Sequence, residues 1–179
     1  MATQSKAKAG SSSTRVLAEA LVMIALSAGL YMFKIFTFPE GGSVTLGSMI
    51  PIFILAFRRG ARVGVVAGAC LGLMVVVIEP FVYNPIQFVL DYPLAFAVLG
   101  VAGFFNRWPV VGVGVGIGAR FICHFLSGSL YFCSYMTAGF SSCPVYSAFY
   151  NASYLIPEFL ISAVIIFILA KRNILTVGG

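Results

Sequence analysis

Asp91 stands in the middle of an apolar run, PIQFVLDYPLAF, residues 85–96. An isolated ionised carboxylate in hydrocarbon is costly, so it must meet a cation, hydrogen-bond donors or both. Gln87 lies four residues earlier, which on a helix places it on the same face. A second run, GARFICHFLSGSLYF, carries Arg120 and His124 at the same four-residue spacing, and a third carries Asn151 just after Tyr146 and Tyr150. Aromatic residues crowd the same ends of these runs: Tyr83, Phe88, Tyr92, Tyr131, Phe132 and Tyr135. A carboxylate, an imidazole, a carboxamide and several aromatic faces suit a flat, polar, cationic molecule. Aromatic faces attract cations by roughly 2 kcal/mol when desolvated, and the carboxylate would neutralise the charge.

Each of these residues also has a plainer use. Asp91 can pair with Arg120 and lock two helices. His124 can be a packed, hydrogen-bonded histidine, and Asn151 can cap a helix or bond a neighbouring backbone. The tyrosines suit a membrane-interface belt. Glu158, after Pro157 in the last apolar run, needs a partner that the sequence does not name. Acid–base catalysis would need a nucleophile or metal set beside Asp91, Arg120 and His124, and there is neither HExxH nor a paired acidic motif. GVGVGIG, in 112–118, follows no strand and lies inside an apolar run, so it is not a nucleotide-binding loop. No resident cofactor, metal or nucleic-acid partner is expected.

The elements that hold these groups are membrane helices. Of 179 residues, 60% are hydrophobic and only 9% charged, where a soluble domain carries roughly 25% charged residues. A spanning helix needs about 20 mostly apolar residues. Six segments qualify or come near, at 16–35, 44–57, 61–78, 86–105, 109–133 and 148–170. The second is short and carries Pro51, which suits a tilted, kinked or partly re-entrant segment. The expected fold is all-α, six transmembrane helices in one compact bundle over 15–173, with a polar N-terminal tail at 1–14 and a C-terminal tail at 174–179. The first tail is expected to be mobile, and the first apolar segment to be a retained helix, not a cleaved signal.

With six spans, nine basic residues fall on one side: Lys6, Lys8, Arg15, Arg58, Arg59, Arg62, Arg107, Lys171 and Arg172. Only Lys34 falls among the opposite loops. The positive-inside rule makes the basic side and both termini cytoplasmic, in a cell-membrane protein whose polar cluster faces outward. Trp108 then sits at the inner boundary as an interfacial anchor. The outer loops are 36–43, 79–85 and 134–147 and hold Glu40, Glu79 and Asn84; the third is long enough to act as a lid. Cys133 and Cys143 flank it and can form a disulfide if that side is oxidising, whereas Cys70 and Cys123 lie inside apolar runs as packing residues.

Small residues recur at four-residue spacing: Ala25 and Gly29 in the first run, Gly64, Gly68 and Gly72 in the third. Such stripes let helices approach closely. They serve either internal packing or, for the first run, docking of another membrane protein.

The segments LGSMIPIFILAFRRGARVGVVAG, NPIQFVLDYPLAFAVLG, GARFICHFLSG and YSAFYNAS, in this order and spacing, resemble the thiamine-binding S-component of energy-coupling factor transporters over about residues 16–170. The resemblance implies a six-helix vitamin-capturing subunit without an ATPase of its own. Such a subunit works with a separate transmembrane coupling protein and two ATP-binding-cassette ATPases. It also implies that Asp91, Tyr92, His124, Phe132, Tyr146 and Asn151 meet thiamine, with Gln87, Tyr83, Tyr135 and Tyr131 as further candidates, and that Ala25 and Gly29 face the coupling protein. Two departures stand out: the family's acid is a glutamate, one methylene longer than Asp91, and its aromatic at Phe132 is a tryptophan. Other readings are a subunit of the same type for a different vitamin or small cation, a membrane enzyme, or a structural membrane protein.

Overall fold

The computed structural model describes residues 2–38, 41–137 and 139–175, with side chains from Ser13 onward. Six helices follow one another: α1 Ala2–Met32, α2 Ile50–Arg59, α3 Ala61–Ile78, α4 Pro85–Phe104, α5 Pro109–Tyr131 and α6 Cys143–Lys171. All but α2 are long and apolar enough to cross a membrane. A short antiparallel hairpin, β1 Lys34–Thr37 with β2 Ser43–Thr45, joins α1 to α2.

The ten-residue α2 reaches only about 15 Å. Its apolar run is explained by burial in protein, because Ile52, Phe53, Leu55 and Ala56 are fully enclosed at the centre of the bundle. Its length and Pro51 thus belong to a short helix enclosed by protein, which runs from the hairpin side to the basic end of the bundle. Its C-terminal end is fixed to α1, since Glu19 accepts from Arg58 Nε at 2.7 Å and Arg59 Nε at 2.6 Å. That double pairing also accounts for an acid inside the first apolar run.

Three other sequence boundaries move. Helix α1 begins at Ala2, so the backbone of the polar stretch drawn as a separate tail is helical; the side chains of 1–12 lie outside the described residues, as do Glu40 and residues 176–179. The first outer loop is a short β-hairpin within an otherwise helical fold. Helix α6 starts five residues earlier than expected, at Cys143, because Pro144 suits a first helical turn instead of a loop. Asn151 therefore sits in the third turn of α6 and not in its first.

Close approach of α3 to α4 sets the position of Asp91. In lipid, apolar contact brings no water-exclusion gain, so helix pairing depends on fit. The stripe Gly64–Gly68–Gly72 supplies that fit. A Cβ on Gly68 would come within 2.2 Å of the Phe96 carbonyl oxygen, and one on Gly72 within 2.4 Å of the Tyr92 carbonyl oxygen. Gly100 returns the contact from α4, where a Cβ would lie 2.1 Å from the Val65 nitrogen. The α3 stripe thus serves internal packing.

Helix α4 changes its winding where the chemistry is. Pro93 has no N–H and its ring crowds the carbonyl four residues earlier. The turn Leu90–Leu94 is correspondingly widened to π geometry, a distortion that often marks functional sites. Toward its C-terminus α4 tightens to 3₁₀ winding over Val98–Phe104.

Candidate functional site

The widened turn of α4 points Asp91 toward α5. There Asp91 Oδ1 meets His124 Nδ1 at 3.0 Å, and Oδ2 accepts from Ser127 Oγ at 2.7 Å. Gln87 Nε2, one turn back on α4, donates to the same Oδ2 at 2.7 Å. The carboxylate is thus met by three protein donors and still lines an internal cavity. Arg120 does not touch it directly. Its Nε donates to His124 Nε2 at 3.2 Å, so the guanidinium reaches Asp91 through the imidazole. The direct Asp91–Arg120 lock that the sequence allowed is replaced by this relay.

The relay assigns the histidine's protons. A ring nitrogen that accepts from Arg120 must carry a lone pair, so His124 is neutral and its proton is on Nδ1, donated to Asp91. Arg120 is buried, its plane lies 3.9 Å from the Phe96 ring centre, and its Nη1 has no partner among the described residues.

Across the cavity, α6 presents Tyr146, Ser147, Tyr150, Asn151, Tyr154 and Glu158. Asn151 Nδ2 donates to the Ser147 carbonyl at 2.8 Å, and its Oδ1 accepts from Tyr154 OH at 2.5 Å. Nδ2 also donates to Ser147 Oγ at 3.3 Å, so the carboxamide is held rigid along its own helix with one Oδ1 lone pair to spare. Gly128 of α5 lets α6 come this close, since a Cβ there would reach Ser147 Oγ at 2.3 Å. The Tyr154 ring meets the His124 ring edge-on at 6.2 Å, which joins the two walls.

The hairpin covers the cavity and is pinned to α6 at two points. Gly42 N donates to Tyr150 OH at 2.9 Å. Thr45 gives Glu158 Oε1 both its N–H, at 2.5 Å, and its hydroxyl, at 2.6 Å. This is the partner of Glu158, and it comes from a segment 113 residues away. Lys34 of the same hairpin pairs with Glu79 at 2.5 Å, which Tyr31 OH also reaches at 3.1 Å. Tyr92 steadies the α3–α4 loop, donating to the Glu79 carbonyl at 3.0 Å and accepting from Phe81 N at 2.9 Å. Phe132 stacks on Phe81 at 5.6 Å, and both line the cavity. Just beyond Phe132, a disulfide joins Cys133 to Cys143 and ties the end of α5 to the start of α6.

The cavity measures about 180 Å³, whereas a single water needs only about 10–15 Å³ by the same kind of measure. It is a chamber for a small molecule. With His124 neutral, the formal charges at its wall are Glu79, Asp91 and Glu158 against Arg120 and the Lys34 that pairs with Glu79. Asp91 among these is held by neutral donors and not by a cation, which suits it to meet a bound cation.

Of the residues singled out in the sequence, Asp91, Tyr92, His124, Phe132, Tyr146, Asn151 and Gln87 line this one cavity. Tyr83, Tyr131 and Tyr135 do not. Tyr83 and Tyr135 are exposed and bond to each other through their hydroxyls, with Phe132 packed against both rings. Ser127, Tyr31, Thr45, Phe81 and Tyr154 were not anticipated. Ser127 had a signal, because it falls three residues after His124 on the face that begins at Arg120. Trp108, placed at the boundary by sequence, stands at the start of α5 outside the cavity.

Comparison with known proteins agrees with this architecture. Residues 17–177 match the family described as thiamine transporter protein. Thiamine transporter ThiT of Bacillus subtilis (strain 168) is 32% identical over 171 residues, covering 86% of each chain. Thiamine transporter ThiT of Lacticaseibacillus paracasei is 28% identical over 123 residues, 58% of this chain and 61% of that one. A solved structure of ThiT from Listeria monocytogenes superposes with a TM-score of 0.83 at 23% identity, over 93% of this chain and all of that one, and so shares the fold. The chain is a multi-pass membrane protein that belongs to the thiamine transporter family, a family of transporters and not of enzymes.

Proposed function

We propose that the chain captures thiamine from outside the cell as the membrane-embedded binding subunit of an energy-coupling factor transporter. The observation that carries this reading is the cavity in which the Asp91 carboxylate, held by neutral donors, meets His124, Asn151 and aromatic walls. Thiamine is a monocation made of two flat rings. Asp91 neutralises it or accepts its hydrogen bonds. Asn151 and Tyr146 address the pyrimidine edge, while His124, Phe132 and Tyr92 pack on the rings. The hairpin over the cavity, pinned through Tyr150 and Glu158, is the part that must loosen for entry.

A separate coupling protein and two ATPases supply the energy, since the sequence has no phosphate-binding loop. Helix α1 supports the coupling role. Ala25 is exposed, as are Leu21, Val22 and Leu26 around it, and a Cβ on Gly29 would meet nothing within 4 Å. Unlike the α3 stripe, this small-residue face is unused inside the bundle and suits a partner helix.

Calorimetric titration of the detergent-solubilised chain with thiamine tests the binding role. A sub-micromolar Kd is expected. A Kd no tighter than about 1 mM, equivalent to only about 4 kcal/mol, would overturn the reading, and tighter binding of another organic cation would transfer it to that ligand. Trp108 lies away from the cavity, so its fluorescence is not the reporter for this experiment.

A further inference from the structure

A second cleft opens at the basic end of the bundle, between the start of α5 and the end of α6. It is a shallow, open depression of about 420 Å³ lined by Arg107, Trp108, Val111, Phe167, Ala170 and Lys171 among others. Among the described residues its two cations have no acidic partner, and every acid is engaged elsewhere: Glu19 with Arg58 and Arg59, Glu79 with Lys34, Asp91 with His124, and Glu158 with Thr45. Lys171 Nζ instead lies 5.5 Å above the Phe167 ring. Trp108, Val111 and Phe167 are exposed by about half or more.

We propose that this cleft binds the headgroup of one anionic phospholipid, with its phosphate between Arg107 and Lys171 and an acyl chain along Val111 and Phe167. The arrangement meets each part of such a lipid. Paired cations suit a phosphate, an indole settles at headgroup depth, and the apolar side chains continue into hydrocarbon. The cleft also discriminates. A zwitterionic headgroup would bring an ammonium against two cations and find no acid to receive it, whereas phosphatidylglycerol brings only the negative charge. The basic end is the cytoplasmic one on the positive-inside reading, so the lipid is one of the inner leaflet.

Trp108 is the only tryptophan in the chain, and it lines the cleft, so its fluorescence reads occupancy directly. The test reconstitutes the full chain in phosphatidylcholine vesicles containing equal mole fractions of either brominated phosphatidylglycerol or brominated phosphatidylcholine. Stronger quenching by the brominated anionic lipid is expected, with a relative association constant of about threefold or more for two interfacial cations. The preference should fall to about one in R107Q/K171Q. It should persist in R15Q/R62Q, which removes two charges from the same end of the bundle but outside the cleft. Equal quenching by the two lipids in the unmodified chain overturns the proposal, even if the double variant fails to reconstitute. So does equal loss of preference in both double variants, which would assign the effect to overall surface charge. Displacement by millimolar glycerol phosphate would identify a soluble-phosphate site and also overturns it.

Discussion

Asp91→Asn is expected to weaken thiamine binding by about two to three orders of magnitude while the fold survives. The substitution removes the carboxylate charge at the cavity wall, so a bound cation would face Arg120 without that counter-charge. A hydrogen bond to a charged group contributes roughly 1.5–3 kcal/mol, and the lost Coulomb attraction at low effective dielectric adds to it. A total near 3–4 kcal/mol corresponds to the stated range. The amide keeps the local network nearly intact. Its oxygen still accepts from His124 Nδ1, and its nitrogen takes the place of Oδ2, where the Ser127 hydroxyl can turn to accept. Gln87 alone loses an acceptor, and it retains the Phe81 carbonyl at 3.0 Å. Asp91→Glu keeps the charge at the cost of one extra methylene and should stay within about tenfold of the unmodified protein, because a volume increase of this size is tolerated where a cavity adjoins. Calorimetry gives the affinities and circular dichroism the helix content. Binding by Asp91→Asn within threefold of the unmodified chain would show that the carboxylate is there to lock helices and not to meet a ligand.

The second large effect is on stability. Gly68→Ala adds one methyl, which would stand 2.2 Å from the Phe96 oxygen and 2.8 Å from its carbonyl carbon. Both are helix backbone, so no side chain can rotate away, and α3 and α4 must separate. Overpacking costs up to about 3 kcal/mol when the neighbours can adjust; here the adjustment moves a helix. A fall of about 10 °C in thermal midpoint is expected. Because the displaced helix carries Asp91 and Tyr92, thiamine affinity should fall too. Gly118→Ala is the matched control on α5, where an added Cβ meets nothing within 4 Å and the midpoint should stay or rise slightly. Equal behaviour of the two variants in a thermal-shift assay would show that the α3–α4 contact is looser than described.

What could be read from the sequence, and what could not, divides along the range of the interactions. Helix α3 stands at 61–78, where the apolar run ends in Arg59 and Gly60 on one side and Glu79 and Pro80 on the other. Helices α4 and α5 likewise keep their places within two residues, because Pro85 and Pro109 start them. The polar residues of α4, α5 and α6 do line one cavity, a consequence of their sharing one depth in successive antiparallel helices. Hydropathy alone could not separate a lipid-facing helix from a protein-enclosed one, and so α2 reads as a near-span although protein surrounds it. The hairpin was legible in part. Gly41–Gly42 mark a turn, but the adjacent apolar Ile35 and Phe36 break any strand alternation and merged the first strand with the end of α1.

Pairings across long separations left no local trace. Thr45 with Glu158, Gly42 with Tyr150 and Glu19 with Arg58 join distant parts of the chain. Each places a charged or polar group where its own segment offers no partner. The deep acid in each of two runs was therefore a true signal that something remote must answer it, while the identity of the answer depended on the folded bundle. The aromatic belt shows the opposite error. Tyr83 and Tyr135 share the depth of the cavity but face away from it, because position along the membrane normal says nothing about which way a side chain points around a helix end.

The measurement that tests the account most directly is a crystal structure of the chain with thiamine. The account predicts ligand density inside the cavity between α4, α5 and α6. It predicts the Asp91 carboxylate or the Asn151 carboxamide at about 3 Å from the aminopyrimidine, with the hairpin closed over it. Density for thiamine on another surface of the protein, or a cavity without it at saturating ligand, would contradict the account.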